Sequence, residues 1–156
     1  MDDFDFLVGS WDVANRRRVD FLDADSPWEE FPAVSRISRH FGGGASFDEI
    51  DFPTKGAGGL TLRLFDRERE EWSLYWASGR TGTLFPPVVG RFDGDRGVFE
   101  GEDTHDGKDV RVRYVWSGTS GTSGTSGAAP RWEQAFSLDG GATWLDNWTM
   151  DFTRRP

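Results

Sequence analysis

Residues 131–155, RWEQAFSLDGGATWLDNWTMDFTRR, decide the fold. On the first arm Trp132, Gln134 and Phe136 alternate with Arg131, Glu133 and Ala135. On the second, Trp148, Met150 and Phe152 alternate with Thr149, Asp151 and Thr153. A period of two puts each triplet on one face of a strand. Between the arms Asp139 is placed to hydrogen-bond the backbone that follows it, and Gly140 and Gly141 are free to take positive φ. The stretch predicts two antiparallel strands joined by a tight turn.

The composition agrees. Aromatic residues make up 15% of the 156-residue chain, with 8 Trp and 13 Phe, and long runs of Ala, Leu, Lys and Glu at helical spacing are missing. This points to one all-β domain, residues 1–156, long enough for a real core. Eighteen Lys plus Arg against 27 Asp plus Glu leave a net charge of -9. The uniform basic field that attracts nucleic acid or anionic lipid is therefore absent, and neither is expected as a partner. With no cysteine, disulfides and thiolate chemistry drop out. The opening MDDFDFLVGSW lacks a basic stretch followed by an apolar one, and no segment approaches membrane-spanning length, so a cytoplasmic location is expected.

Earlier segments follow the same alternation. Trp11, Val13, Asn15 and Arg17 share one parity, opposite Asp12, Ala14, Arg16 and Arg18. Residues 28–41 form the next strand region, with Phe31, Ala33, Ile37 and Phe41 broadly on one side; Pro32 places its first half at an edge or a bulge. Ala45 to Ile50 is a short strand and residues 51–59 a loop. Leu60, Leu62 and Leu64 are expected to meet Trp72, Leu74 and Trp76 across a hairpin. Residues 78–87, SGRTGTLFPP, are the best candidate for a loop over a barrel mouth, because Pro86 and Pro87 restrict the backbone and remove two donors. A third hairpin turns at residues 93–97. Val110, Val112, Tyr114 and Trp116 then alternate with arginines that face water. The TSG repeat at 119–127 predicts a flexible hairpin loop. Eight to ten strands joined by short antiparallel turns suit an up-and-down closed barrel.

Two resemblances attach to these residues. Ser137, Asp139, Gly141, Thr143 and Trp144 resemble the Asp-box, a hairpin turn of sialidases and other β-proteins; the likeness covers the turn alone and implies turn chemistry, not catalysis. Gly9-Ser10-Trp11 on a first strand looks like the G-x-W of the calycin superfamily, which includes lipocalins, fatty-acid-binding proteins, avidins and nitrobindin-type haem barrels. With the opening FDFLVGSWDV and the closing FTRR, the chain is similar over most of its length to bacterial lipocalin-like domains of unknown function. The resemblance implies a barrel whose Trp11 plugs the closed end, with Arg154 lying across the indole.

The inward parities collect Asn15, Arg17, Trp76, Tyr114, Trp116, Trp132, Gln134 and Trp148, an aromatic lining with a few hydrogen-bonding groups. Taken singly, each tryptophan is ordinary filling for a small barrel. Arg17 needs a partner: an interior acid, an anionic ligand, or a bulge that turns it outside. The expected occupant is a small hydrophobic or amphipathic molecule, apolar or weakly acidic. An isomerase, cyclase or hydrolase without a cofactor is the alternative, with Tyr114 or an interior carboxylate as acid or base. A barrel working through its outer surface or as a homodimer stays open. His40 and His105 read as solvated strand-end or turn residues, and the nitrobindin-type alternative needs one of them on haem iron. Asp48, Asp51, Asp93 and Asp95 read as exposed turn acids, so no metal site and no cofactor are expected.

Overall fold

Trp11, Val13 and Asn15 are buried while Asp12, Ala14 and Arg16 are exposed, so the first strand, β1 (Gly9–Arg18), keeps the predicted alternation. The computed structural model describes residues 1–119 and 129–156. The others are β2 (Trp28–His40), β3 (Ala45–Phe52), β4 (Ala57–Asp66), β5 (Glu71–Ser78), β6 (Thr83–Leu84), β7 (Val88–Asp93), β8 (Arg96–His105), β9 (Lys108–Ser117), β10 (Arg131–Ser137) and β11 (Leu145–Arg154). Each pairs antiparallel with the next in sequence, except that β5 passes on to β7. The ring shuts where β1 pairs with β11, Trp11 opposite Arg154 and Arg17 opposite Trp148. Ten strands thus form a closed up-and-down barrel, and the two-residue β6 is an extra pairing on β5. Closure removes the free edges of an open sheet, apart from short flanks such as β2 before Val34.

One end is sealed by the N-terminal segment. The short 3-10 turn Asp5–Leu7 tucks Phe4 and Leu7 beneath Trp11, Trp72 and Phe99, all at most 2% exposed. Phe4 meets Trp72 edge-on at 4.8 Å and Phe92 at 5.1 Å. Burying each such side chain contributes roughly 1.5–3 kcal/mol. Arg154 lies across Trp11 as expected, 4.2 Å from the ring centre. The Asp-box turn also forms as predicted. Asp139 accepts from the Thr143 N–H at 2.8 Å and from the Ser137 hydroxyl at 2.7 Å, with Gly140 and Gly141 at positive φ.

Several expectations are corrected. On β4 the inward row is Thr61, Arg63 and Phe65; Leu60 and Leu62 lie outside, 39% and 38% exposed. Asp48 is a buried strand residue, not a turn acid, and it accounts for the inversion by supplying the counterion to Arg63. Regular structure also consumes most of the supposed 51–59 loop. Phe41 stands 75% exposed in the 3-10 turn Phe41–Gly43, because its backbone adopts φ 53° after β2 ends. Pro32 does sit on an unpaired flank: β2 pairs with β1 there, while its pairing with β3 begins only at Val34. Residues 78–87 fold back along β5 through β6, with the Phe85 N–H on the Trp76 carbonyl at 2.8 Å. The TSG loop predicted at 119–127 lies outside the described residues apart from Thr119, whose N–H donates to Asp95. Among the described residues no helix is long and apolar enough to cross a membrane.

Candidate functional site

β9, β10 and β11 lie side by side, and their inward residues fall into rungs: Trp116 opposite Trp132, Tyr114 opposite Gln134, and Gln134 opposite Trp148. These five side chains, with Trp76 from β5, line one cavity in the barrel interior. The space in which the centre of a water molecule can sit amounts to about 80 Å³. One water needs roughly 10–15 Å³ on this measure, so the space suits a few waters or a compact one-ring molecule. Ring planes meet edge-to-face, Tyr114 on Trp132 at 5.0 Å and Trp132 on Trp148 at 5.5 Å. Such contacts fix the orientation of the wall.

The opposite wall comes from β3 and β4, and sequence reasoning missed its charged part. Arg63 and Asp48 line the same cavity, 3% and 5% exposed. Arg63 Nη2 donates to Asp48 Oδ2 at 2.8 Å and Nη1 to the Ser46 hydroxyl at 3.1 Å. The guanidinium also sits 5.1 Å from the Phe4 ring centre and 5.7 Å from that of Trp116. Asp48 Oδ1 and Arg63 Nε are buried without hydrogen-bond partners. Burial pushes the Asp48 carboxyl above the usual carboxylate range, and the neighbouring Arg63 pulls it only part of the way back. The Tyr114 phenol is pushed up, first by burial and then by the charge of Asp103, so it stays protonated at neutral pH. The signal that would have found the pair is a strand-pairing one. With β3 and β4 in antiparallel register, Ser46 faces Arg63 and Asp48 faces Thr61, which brings the acid within reach of the guanidinium.

Asn15 and Arg17 are not on the cavity wall. Asn15 is buried just outside it, its Oδ1 accepting from Trp148 Nε1 at 2.9 Å. Arg17 pairs with an acid, but a part-exposed one and not an interior one. Its guanidinium bonds Glu29 at 2.8 Å and covers the rings of Phe31 and Trp148 at 4.6 and 4.8 Å. Glu29, held below the carboxylate range first by Lys55 and then by Arg17, completes this clamp.

Phe21 stacks on His105 at 5.4 Å and meets Phe136 at 5.6 Å. His40 ends β2 in the open, its Nε2 2.7 Å from Ser38 Oγ. Neither histidine lines the cavity. None of residues 78–87 lines it either. Among the described residues no group of three or more His, Asp or Glu is arranged to hold a metal ion.

Fold and site together define a closed antiparallel β-barrel with an aromatic interior, consistent with a lipocalin-like build. No protein-family model matches the chain, and no curated protein matches it.

Proposed function

We propose that this chain is a calycin-like binding protein that holds one small, flat molecule of low polarity inside its barrel. The observation that carries this reading is the convergence of Trp76, Tyr114, Trp116, Trp132, Gln134 and Trp148 on one cavity. Concave, largely apolar sites with a few polar groups are where small ligands bind. The size of the cavity restricts the occupant to a compact ring and disfavours a long acyl chain. Arg17 and Asn15 do not line the cavity, and Arg17 is held by Glu29, so neither belongs to the proposed ligand contacts.

Native mass spectrometry of freshly purified protein tests this reading. A retained small mass is expected in the wild type, and it should vanish in Thr61→Phe, which sets a ring in the cavity. Protein that carries no added mass and acquires none from a metabolite extract argues against it.

Catalysis in the same cavity is favoured by one observation, the buried Asp48 carboxyl on its wall. Tyr114, staying protonated, serves such chemistry as an acid and not as a base. Conversion of the retained molecule on incubation would mark an enzyme. A haem site finds no support, because an axial histidine is missing from the wall.

A further inference from the structure

The indole N–H groups divide the barrel's tryptophans into two sets. Trp11 donates to the Leu7 carbonyl at 2.7 Å, Trp72 to Asp3 at 2.9 Å and Trp148 to Asn15 at 2.9 Å. For Trp76, Trp116 and Trp132, no described residue accepts from Nε1, and none engages the Tyr114 hydroxyl. All four side chains line the cavity. Nor are these donors sealed in protein: the interior atoms that are both sealed and unpartnered include Asp48 Oδ1, Arg63 Nε and Asn15 Nδ2, and no indole nitrogen is among them. Trp116 and Trp132 are only 3% and 7% exposed, and both line the cavity.

An indole N–H donates and cannot accept, and a buried one ordinarily finds a partner. Most of the unpartnered polar groups on this wall are therefore donors that demand an acceptor, with Gln134 Oε1, which no described residue engages, the acceptor beside them. The interior cation answers no part of that demand, since Arg63 is already neutralised by Asp48, and a net charge of -9 disfavours an anion further.

We propose that the cavity takes a small, flat, neutral molecule carrying a carbonyl or similar acceptor oxygen, received by the unpartnered donors of the β9–β10 wall, Trp116, Trp132 and Tyr114. This rests on the cavity being a ligand site and narrows the ligand class from apolar or weakly acidic to neutral and acceptor-bearing.

The test is an NMR titration of protein labelled with 15N in its tryptophan indoles, using acetophenone, ethylbenzene and benzoate separately. Acetophenone should bind about fivefold tighter than ethylbenzene, the worth of one hydrogen bond, and benzoate should bind worst. Acetophenone should also move the Nε1–H resonance of Trp116 or Trp132 while leaving those of Trp11 and Trp72 in place. Trp116→Phe and Trp132→Phe assign the resonances, and at least one should remove the preference for acetophenone. The wild-type comparison decides the matter without them. Equal binding of ethylbenzene, tightest binding of benzoate, or acetophenone bound with both resonances unmoved overturns the acceptor assignment while leaving the ligand site intact. If none of the three binds, the ligand site falls with it.

Discussion

The guanidinium of Arg154 rests 4.2 Å from the centre of the Trp11 indole, and it reaches there because Gly9 has no side chain. A Cβ at Gly9 would stand 2.7 Å from Arg154 Nη1, on a backbone with φ of 126°. Arg154 also donates to the Val8 and Phe6 carbonyls at 2.7 and 3.1 Å, which ties β11 to the N-terminal plug. Gly9→Ala is expected to cost roughly 1–3 kcal/mol through backbone strain and the displaced arginine. Urea denaturation reads the loss, and an unchanged midpoint contradicts it.

Asp48 and Arg63 neutralise each other inside the barrel, so removing one strands the other. Asp48→Ala should cost about 3–5 kcal/mol, whereas the double change Asp48→Leu with Arg63→Met should recover most of the loss. A double-mutant cycle by chemical denaturation gives the coupling. Additive losses would show that the two groups act independently.

Gly59 faces inward beneath Trp76, and a Cβ there would fall 1.9 Å from the indole ring. Gly59→Ala should push Trp76 into the cavity, cost roughly 1–3 kcal/mol by overpacking and weaken ligand retention. A shift in tryptophan fluorescence together with lost binding is the expected result. Loss of stability with full binding contradicts the place given to Trp76.

The carboxyl of Asp139 is lowered to about 2, first by the Thr143 hydroxyl, then by Ser137 and the Thr143 backbone. Because the folded value lies below the unfolded carboxylate value of roughly 3.9, its stabilisation is complete above that range and is lost as pH falls through about 2. The gap in Tm between wild type and Asp139→Asn should therefore be widest near neutral pH and shrink toward pH 2. A gap constant over that range contradicts the assignment.

What was legible in the sequence follows from where one strand face was cleanly polar. β1 sets Asp12, Arg16 and Arg18 against Trp11 and Val13, and β11 sets Asp151 and Thr153 against Met150 and Phe152, so their inward rows could be read directly. On β4 apolar residues occupy both faces, and the leucine row looked like core although the barrel turns it outward. Burying an arginine is favourable only with Asp48 beside it, and that proximity exists only once β3 and β4 are paired. A bulge between Gln134 and Ala135 hides the remainder. It buries consecutive residues of β10 and brings Asn147, 0% exposed, to accept from Gln134 Nε2 at 2.9 Å, a contact that no strict alternation predicts.

Crystallography under xenon pressure tests the interior cavity without any knowledge of the ligand, since xenon enters apolar cavities and not well-packed interiors. The expected result is xenon density inside the barrel between Arg63, Trp76, Trp132 and Gln134, and its disappearance in Thr61→Phe. An interior filled by side chains, with xenon absent or confined to the outer surface, would contradict it.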